Sequence, residues 1–162
     1  MQLYLLRHGI AEDAKIGGSD GDRALTPEGR RKLRDVMKLA REAGVSPELI
    51  ISSPLKRALQ TADIAKRALG YEEQIVTSDL LTPGTSPEDA WEEVRAHRDL
   101  QSLLLVGHNP LFAALAAYLL GTPNAHIEFK KGAIMRVDFE KFSVQPRGVL
   151  RWYLTARLAA TH

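Results

Sequence analysis

The run SLLLVGH, positions 102–108, is apolar at the consecutive residues Leu103, Leu104, Leu105 and Val106. A strand with one wet face alternates apolar and polar residues. Four apolar residues in succession mean that both faces are covered, which is the signature of a parallel sheet flanked by helices. Five further short apolar runs, at 2–7, 49–52, 74–77, 133–138 and 150–155, read as strands. Helically spaced segments separate most of them. TPEGRRKLRDVMKLAREAG offers Thr26 as N-cap, Pro27 at the first helical position and an apolar stripe of Leu33, Val36, Met37 and Ala40, closed by Gly44. The same grammar predicts helices opening at Ser53-Pro54, Ser86-Pro87 and Asn109-Pro110, the first stopping at Gly70 and the last at Gly121. Strands alternating with helices of this length predict a three-layer α/β/α sandwich with a mainly parallel sheet. The last two strands lack an intervening helix, so they pair as a hairpin that gives the sheet an antiparallel edge strand.

Composition sets the remaining bounds. A chain of 162 residues is most simply one domain spanning positions 1–162, with a core that needs no staples. It has no cysteine, which removes disulfides and thiolate metal sites. Its net charge of +2 is too small for a phosphate-tracking surface, so no nucleic-acid partner is expected. No apolar run approaches the roughly 18 residues of a membrane span, and the apolar start at 1–6 is too short for a secretory signal. A cytoplasmic protein with no membrane partner is the expectation. Trp91 and the Trp152-Tyr153-Leu154 stretch are expected in the core.

Polar residues stand where three strands end. The first ends in Arg7-His8-Gly9, the second leads into Arg57, and the fourth into His108-Asn109. In a parallel sheet these ends share one rim, where ligands of α/β proteins bind. Two guanidiniums, two imidazoles and the N-termini of two helices make an anion site, and arginine's paired donors match phosphate oxygens. A neutral imidazole held against phosphorus is a nucleophile. His8 is the candidate for that role, with His108 donating to a phosphoryl oxygen and Gly9 allowing a sharp turn and a close approach.

At these residues the chain resembles the histidine phosphatase superfamily, the group that includes the phosphoglycerate mutases. Arg7-His8-Gly9 matches its hallmark, and LTPEGRRKL, SSPLKRALQTA and VGHNP match its next signatures in order. The resemblance implies that His8 accepts the phosphoryl group, that Arg7, Arg57 and His108 bind it with Gly9 and Asn109 beside them, and that no metal or other cofactor is needed. The short length and the stretches RHGIAED, DRALTPEG and LLTPGTSPED are similar to bacterial phosphohistidine phosphatases of the SixA type, which act on phosphotransfer domains of signalling relays. Mutase-like members carry a glutamate proton donor after the third strand, where this chain reads SDLLTPG. An alkoxide needs a proton to leave, whereas an imidazole, with a conjugate-acid pKa of about 6.5, leaves readily near neutral pH.

The sequence therefore favours a phosphatase acting on a phosphohistidine-bearing protein, such as a histidine phosphotransfer domain. A small-molecule phosphomonoesterase of the same fold and a non-catalytic phosphate-binding module are the alternatives. Glu12, Asp13 and Asp79 are weak candidates for a proton donor. The Gly- and Asp-rich loop at 14–22 is a candidate gate, with Arg23 anchoring it and Thr26 capping the helix that follows.

Overall fold

A computed structural model describes residues 1–162. Six strands, β1 (Gln2–Arg7), β2 (Leu49–Ser52), β3 (Val76–Thr77), β4 (Ser102–Gly107), β5 (Ile134–Asp138) and β6 (Val149–Leu154), form one sheet in the order β3-β2-β4-β1-β5-β6. The pairs β1–β4, β2–β4 and β2–β3 are parallel. The antiparallel pairings lie on one side of the sheet, where β5 runs against both β1 and β6.

Five helices cover the two faces: α1 (Pro27–Glu42), α2 (Lys56–Leu69), α3 (Pro87–Ala96), α4 (Leu111–Leu119) and α5 (Ala156–Ala160). The consecutive apolar residues of β4 divide between the layers. Leu103 and Leu105 pack with Trp91 of α3 and Phe112 of α4, while Leu104 and Val106 pack with Leu33 of α1 and Ala58 of α2. Each of these β4 side chains is fully buried. The stripe read from the sequence of α1 is the face it buries, and Thr26 caps the helix by accepting from the Gly29 N–H at 2.9 Å. Trp91 is buried, whereas Trp152 and Tyr153 are half-buried at the margin of the core.

Several boundaries differ from the sequence reading, each for a physical reason. β3 is only Val76–Thr77, an exposed edge strand joined to β2 at Ile51 and Ser52. Short edge strands limit unwanted pairing. β5 starts at Ile134 because the Ala133 N–H turns back to the Lys130 carbonyl. β6 stops at Leu154, since the Thr155 hydroxyl accepts from the Leu158 N–H and starts α5, a helix not anticipated from sequence. α2 begins at Lys56, so Ser53 is not its N-cap and Pro54 is not its first residue. The Ser53 N–H instead extends the sheet by bonding the Val106 carbonyl. α4 begins at Leu111, with Pro110 at its N-cap position; the Asn109 side chain still serves the helix start by accepting from the Ala113 N–H. No helix is long and apolar enough to cross a membrane.

Candidate active site

The register of the central strands builds the site. β1 and β4 pair in parallel with Arg7 opposite Gly107, and the His8 N–H continues the ladder to the Gly107 carbonyl at 3.0 Å. The residues that follow both strands are thereby set side by side. The imidazoles of His8 and His108 lie 5.1 Å apart, centroid to centroid. Close approach needs small residues here. A Cβ on Gly107 would lie 2.7 Å from the Phe112 ring, and one on Gly29 would collide with the Ile10 backbone. Glycine at Gly29 lets the start of α1 pack directly on the chain leaving β1.

Each imidazole is held in a defined state. The His8 Nδ1 lies 2.7 Å from the Gly9 carbonyl. A carbonyl only accepts, so Nδ1 carries the proton. Burial, opposed by this bond and aided by the charges of Arg57, Arg7 and Lys131, holds the His8 pKa down to about 4. At neutral pH the ring is uncharged, with its lone pair on Nε2. His108, 1% exposed, pairs through Nε2 with the Ser53 hydroxyl at 2.7 Å. The Ser53 oxygen also accepts from the Leu55 N–H at 3.3 Å, and its hydroxyl proton can be given to the imidazole. In that tautomer His108 carries its proton on Nδ1. Burial first, then the neighbouring His8 and Arg57, bring its pKa to about 3.

Arg57 is buried and Arg7 half-buried, and both are anchored from behind. Arg7 donates through Nη1 to the Phe129 carbonyl at 2.7 Å, and burial lowers its pKa. Arg57, 4% exposed, lies in the first turn of α2. It donates from Nη1 to the Asp20 carbonyl and from Nη2 to the Asp20 carboxylate, both at 3.0 Å. Asp20 sits in a single helical turn, Asp20–Asp22, within the loop after β1. The bond from Arg23, then the charge and bond of Arg57, hold its carboxyl below the usual range despite partial desolvation. Thr61 ties the two segments together, donating to the Arg57 carbonyl at 2.8 Å and accepting from the Gly9 N–H at 3.2 Å.

Buried polar atoms almost always find partners. The buried side-chain atoms here that have none are Arg7 Nε, Arg57 Nε and His108 Nδ1. All belong to the cluster predicted from sequence. Unmatched guanidinium donors beside a neutral imidazole, away from solvent, form an arrangement that can hold an oxyanion.

Other expected residues have different places. Gly9 is not in a left-handed conformation. Its N–H is taken by Thr61 and its carbonyl by His8; crowding explains the glycine, since a Cβ there would lie 2.7 Å from Leu33. Asn109 donates to the same Phe129 carbonyl that Arg7 uses, at 3.1 Å, while its oxygen holds the start of α4. Glu12, Asp13 and Asp79 are exposed, and none is among the groups that shift the His8 imidazole. Arg23 anchors the loop as expected, donating to the Glu12 carbonyl and the Asp20 carboxylate. Sequence reasoning missed Asp20, Ser53 and Thr61. Ser53 and Thr61 both lie within SSPLKRALQTA and Asp20 lies in the 14–22 loop, but neither the motif nor the loop shows which partner each side chain meets.

Comparison with known proteins gives the same address. The profile of the histidine phosphatase superfamily (branch 1) matches residues 3–82. An uncharacterised protein of Picosynechococcus sp. is 36% identical over 137 residues, covering 83% of this chain and 83% of that one. The structure of the protein histidine phosphatase SixA complexed with tungstate superposes with a TM-score of 0.85 at 27% identity, over 97% of this chain and 98% of that one. A chain from Agrobacterium tumefaciens assigned as phosphohistidine phosphatase SixA gives 0.81 at 28% identity, over 95% and 97%. With its motifs, the profile match and the superposition over nearly its whole length in agreement, the chain belongs to the histidine phosphatase superfamily and is SixA-like within it.

Proposed function

We propose that this protein is a metal-independent phosphatase that removes the phosphoryl group from phosphohistidine on another protein, by way of a phosphohistidine of its own at His8. The observation that carries the reading is the set of buried, unpartnered donors on Arg7, Arg57 and His108 beside a neutral His8. The SixA structure solved with tungstate shows that a relative takes a tetrahedral oxyanion of phosphate's shape.

The chemistry runs from the proton assignments. His8 Nε2 attacks phosphorus with its lone pair, forming a P–N bond as the bond to the substrate imidazole breaks. The departing imidazole keeps that electron pair and takes a proton from solvent. Phosphorylated His8 is cationic, with Nδ1–H still donating to the Gly9 carbonyl. Arg7, Arg57 and His108 Nδ1 stabilise the charge on the equatorial oxygens. Water then attacks the phosphoenzyme, releasing phosphate and restoring the neutral ring. The exposed Asp79 makes no hydrogen bond with its carboxylate, and β3 leads into a helical turn at Asp79–Leu81 instead of a buried acid. That arrangement favours P–N over P–O substrates, because an alkoxide leaves poorly without a positioned proton donor.

Rapid quench with radiolabelled phosphoramidate tests this. The wild type should carry acid-labile, base-stable label that is absent from the His8→Ala variant. Hydrolysis of sugar phosphates as fast as phosphoramidate would overturn the substrate class.

A further inference from the structure

A cleft of about 760 Å³ opens beside the site and shares Arg7 and Asn109 with it. Its rim carries Lys32 from α1, Lys130 and Lys131 from the loop before β5, and Arg157 from α5. With Arg7 these are five cations, against Glu128 as the lone carboxylate in the lining. The whole chain has a net charge of only +2, so the cleft is a local concentration and not a sample of a basic surface. Lys32 and Lys130 have intrachain partners, Glu28 at 3.1 Å and Glu128 at 2.6 Å. Lys131 and Arg157 have none. The Lys131 charge also reaches His8, which places this rim within electrostatic range of the reacting imidazole.

The cleft is well supported. Tyr153 of β6 donates to the Glu128 carbonyl at 3.0 Å and accepts from the Lys130 N–H at 2.9 Å. Its ring meets Phe129 edge-on, and the Phe129 carbonyl is the one that receives both Arg7 and Asn109. The same loop therefore fixes the phosphate-binding arginine and presents the lysines. Ile127 and Ala156 give the cleft an apolar component between its cations.

We propose that this cleft is a docking site for acidic side chains flanking the phosphohistidine on the substrate protein, an inference that rests on the protein-phosphohistidine reading above. Carboxylates on aliphatic stems match the cations of the rim and the apolar surface between them. A compact phosphorylated metabolite would fill the phosphate site and leave the apolar part uncovered. Steering by such a field raises association rates and selects partners by charge.

The test uses two synthetic peptides of equal length centred on a stable phosphonate isostere of phosphohistidine, one flanked by glutamates and the other by glutamines. They are titrated against the His8→Ala protein, so that affinity is read without turnover. The glutamate peptide should bind about tenfold more tightly at low salt, because several partly exposed pairs each contribute modestly. The advantage should shrink towards parity at about 0.5 M salt as screening sets in. The combined Lys32→Gln, Lys130→Gln and Arg157→Gln changes, made with Lys131 retained for its effect on His8, should cut the preference to about threefold or less and leave phosphoramidate hydrolysis by the otherwise wild-type protein unchanged. Equal affinity for both peptides, or a full preference surviving in the triple variant, would overturn the docking site. Failure of the wild type to hydrolyse phosphoramidate would instead strike the phosphatase reading, and the peptide affinities would still be measurable.

Discussion

The middle of the sheet and its carboxyl-terminal rim are equally buried and chemically opposite. In the middle, Leu3, Leu5, Leu103 and Leu105 are fully buried among aromatic and aliphatic neighbours, and burial itself stabilises the fold. Just beyond the ends of β1, β2 and β4, His8, Arg57 and His108 are no more than 5% exposed, yet each carries a group that water would solvate better. Burial at the rim costs free energy. It depresses both imidazole pKa values and leaves side-chain nitrogens of Arg7, Arg57 and His108 without partners. The same lack of solvent that supports the middle of the sheet keeps both imidazoles neutral at the rim.

The sharpest break of this contrast is His8→Ala. It should lower phosphoramidate turnover by about 10⁴-fold or more while the melting temperature stays level or rises, because an imidazole buried at a cost has been removed. A steady-state assay paired with a thermal melt reads both.

Acid should attack the rim before the middle. The folded pKa values of His8 and His108, about 4 and about 3, lie below the unfolded value of about 6.5. The unfolded chain therefore binds more protons as pH falls below 6.5, and stability is lost through that window until the folded pKa is reached. By pH 4 the loss should be on the order of 3 kcal/mol per imidazole, and denaturant titrations at pH 7 and 4.5 should show it. The His8→Ala and His108→Ala double variant should have a visibly flatter dependence.

Leu105→Ala probes the other region. It should destabilise the fold by about 3 kcal/mol through lost burial and a residual cavity, while the fraction still folded keeps its pKa values and nearly its full kcat. A large fall in kcat with unchanged stability would show that the two regions are not separable in this way.

The smallest effect belongs to Asp20, whose side chain is 60% exposed. It fixes the outer edge of the Arg57 guanidinium and leaves Nε for the site. Asp20→Ala should raise KM by about tenfold, the scale of one charge-assisted bond, with little change in melting temperature. Asp20→Asn, which keeps an acceptor oxygen, should recover part of the loss. An unchanged KM would remove Asp20 from the positioning network.

Much of this contrast was legible along the chain. Uninterrupted apolar residues in β4, the stripe of α1 and the Thr26 and Ser86 caps act within a few residues of one another, so local spacing was enough to place them. The RHG, LKR and GHN triplets were legible because charged residues at strand ends conflict with the apolar runs before them. Boundaries governed by distant partners were not. Ser53 looked like a cap until His108, 55 positions away, was seen to hold its hydroxyl, and Thr155 left β6 to start a helix whose short sequence carried no strong signal.

The sequence by itself determined the layer order, the covered sheet and the identity of the four polar residues at its rim, because periodicity and residue chemistry are properties of neighbouring positions. Tertiary structure alone decided which group faces each imidazole, that Asp20 and Phe129 anchor the arginines, and that a lysine-rimmed cleft adjoins the site. Those features arise from hydrogen bonds and fields between segments as many as 122 residues apart, and their strength depends on distance and burial, which no linear pattern encodes.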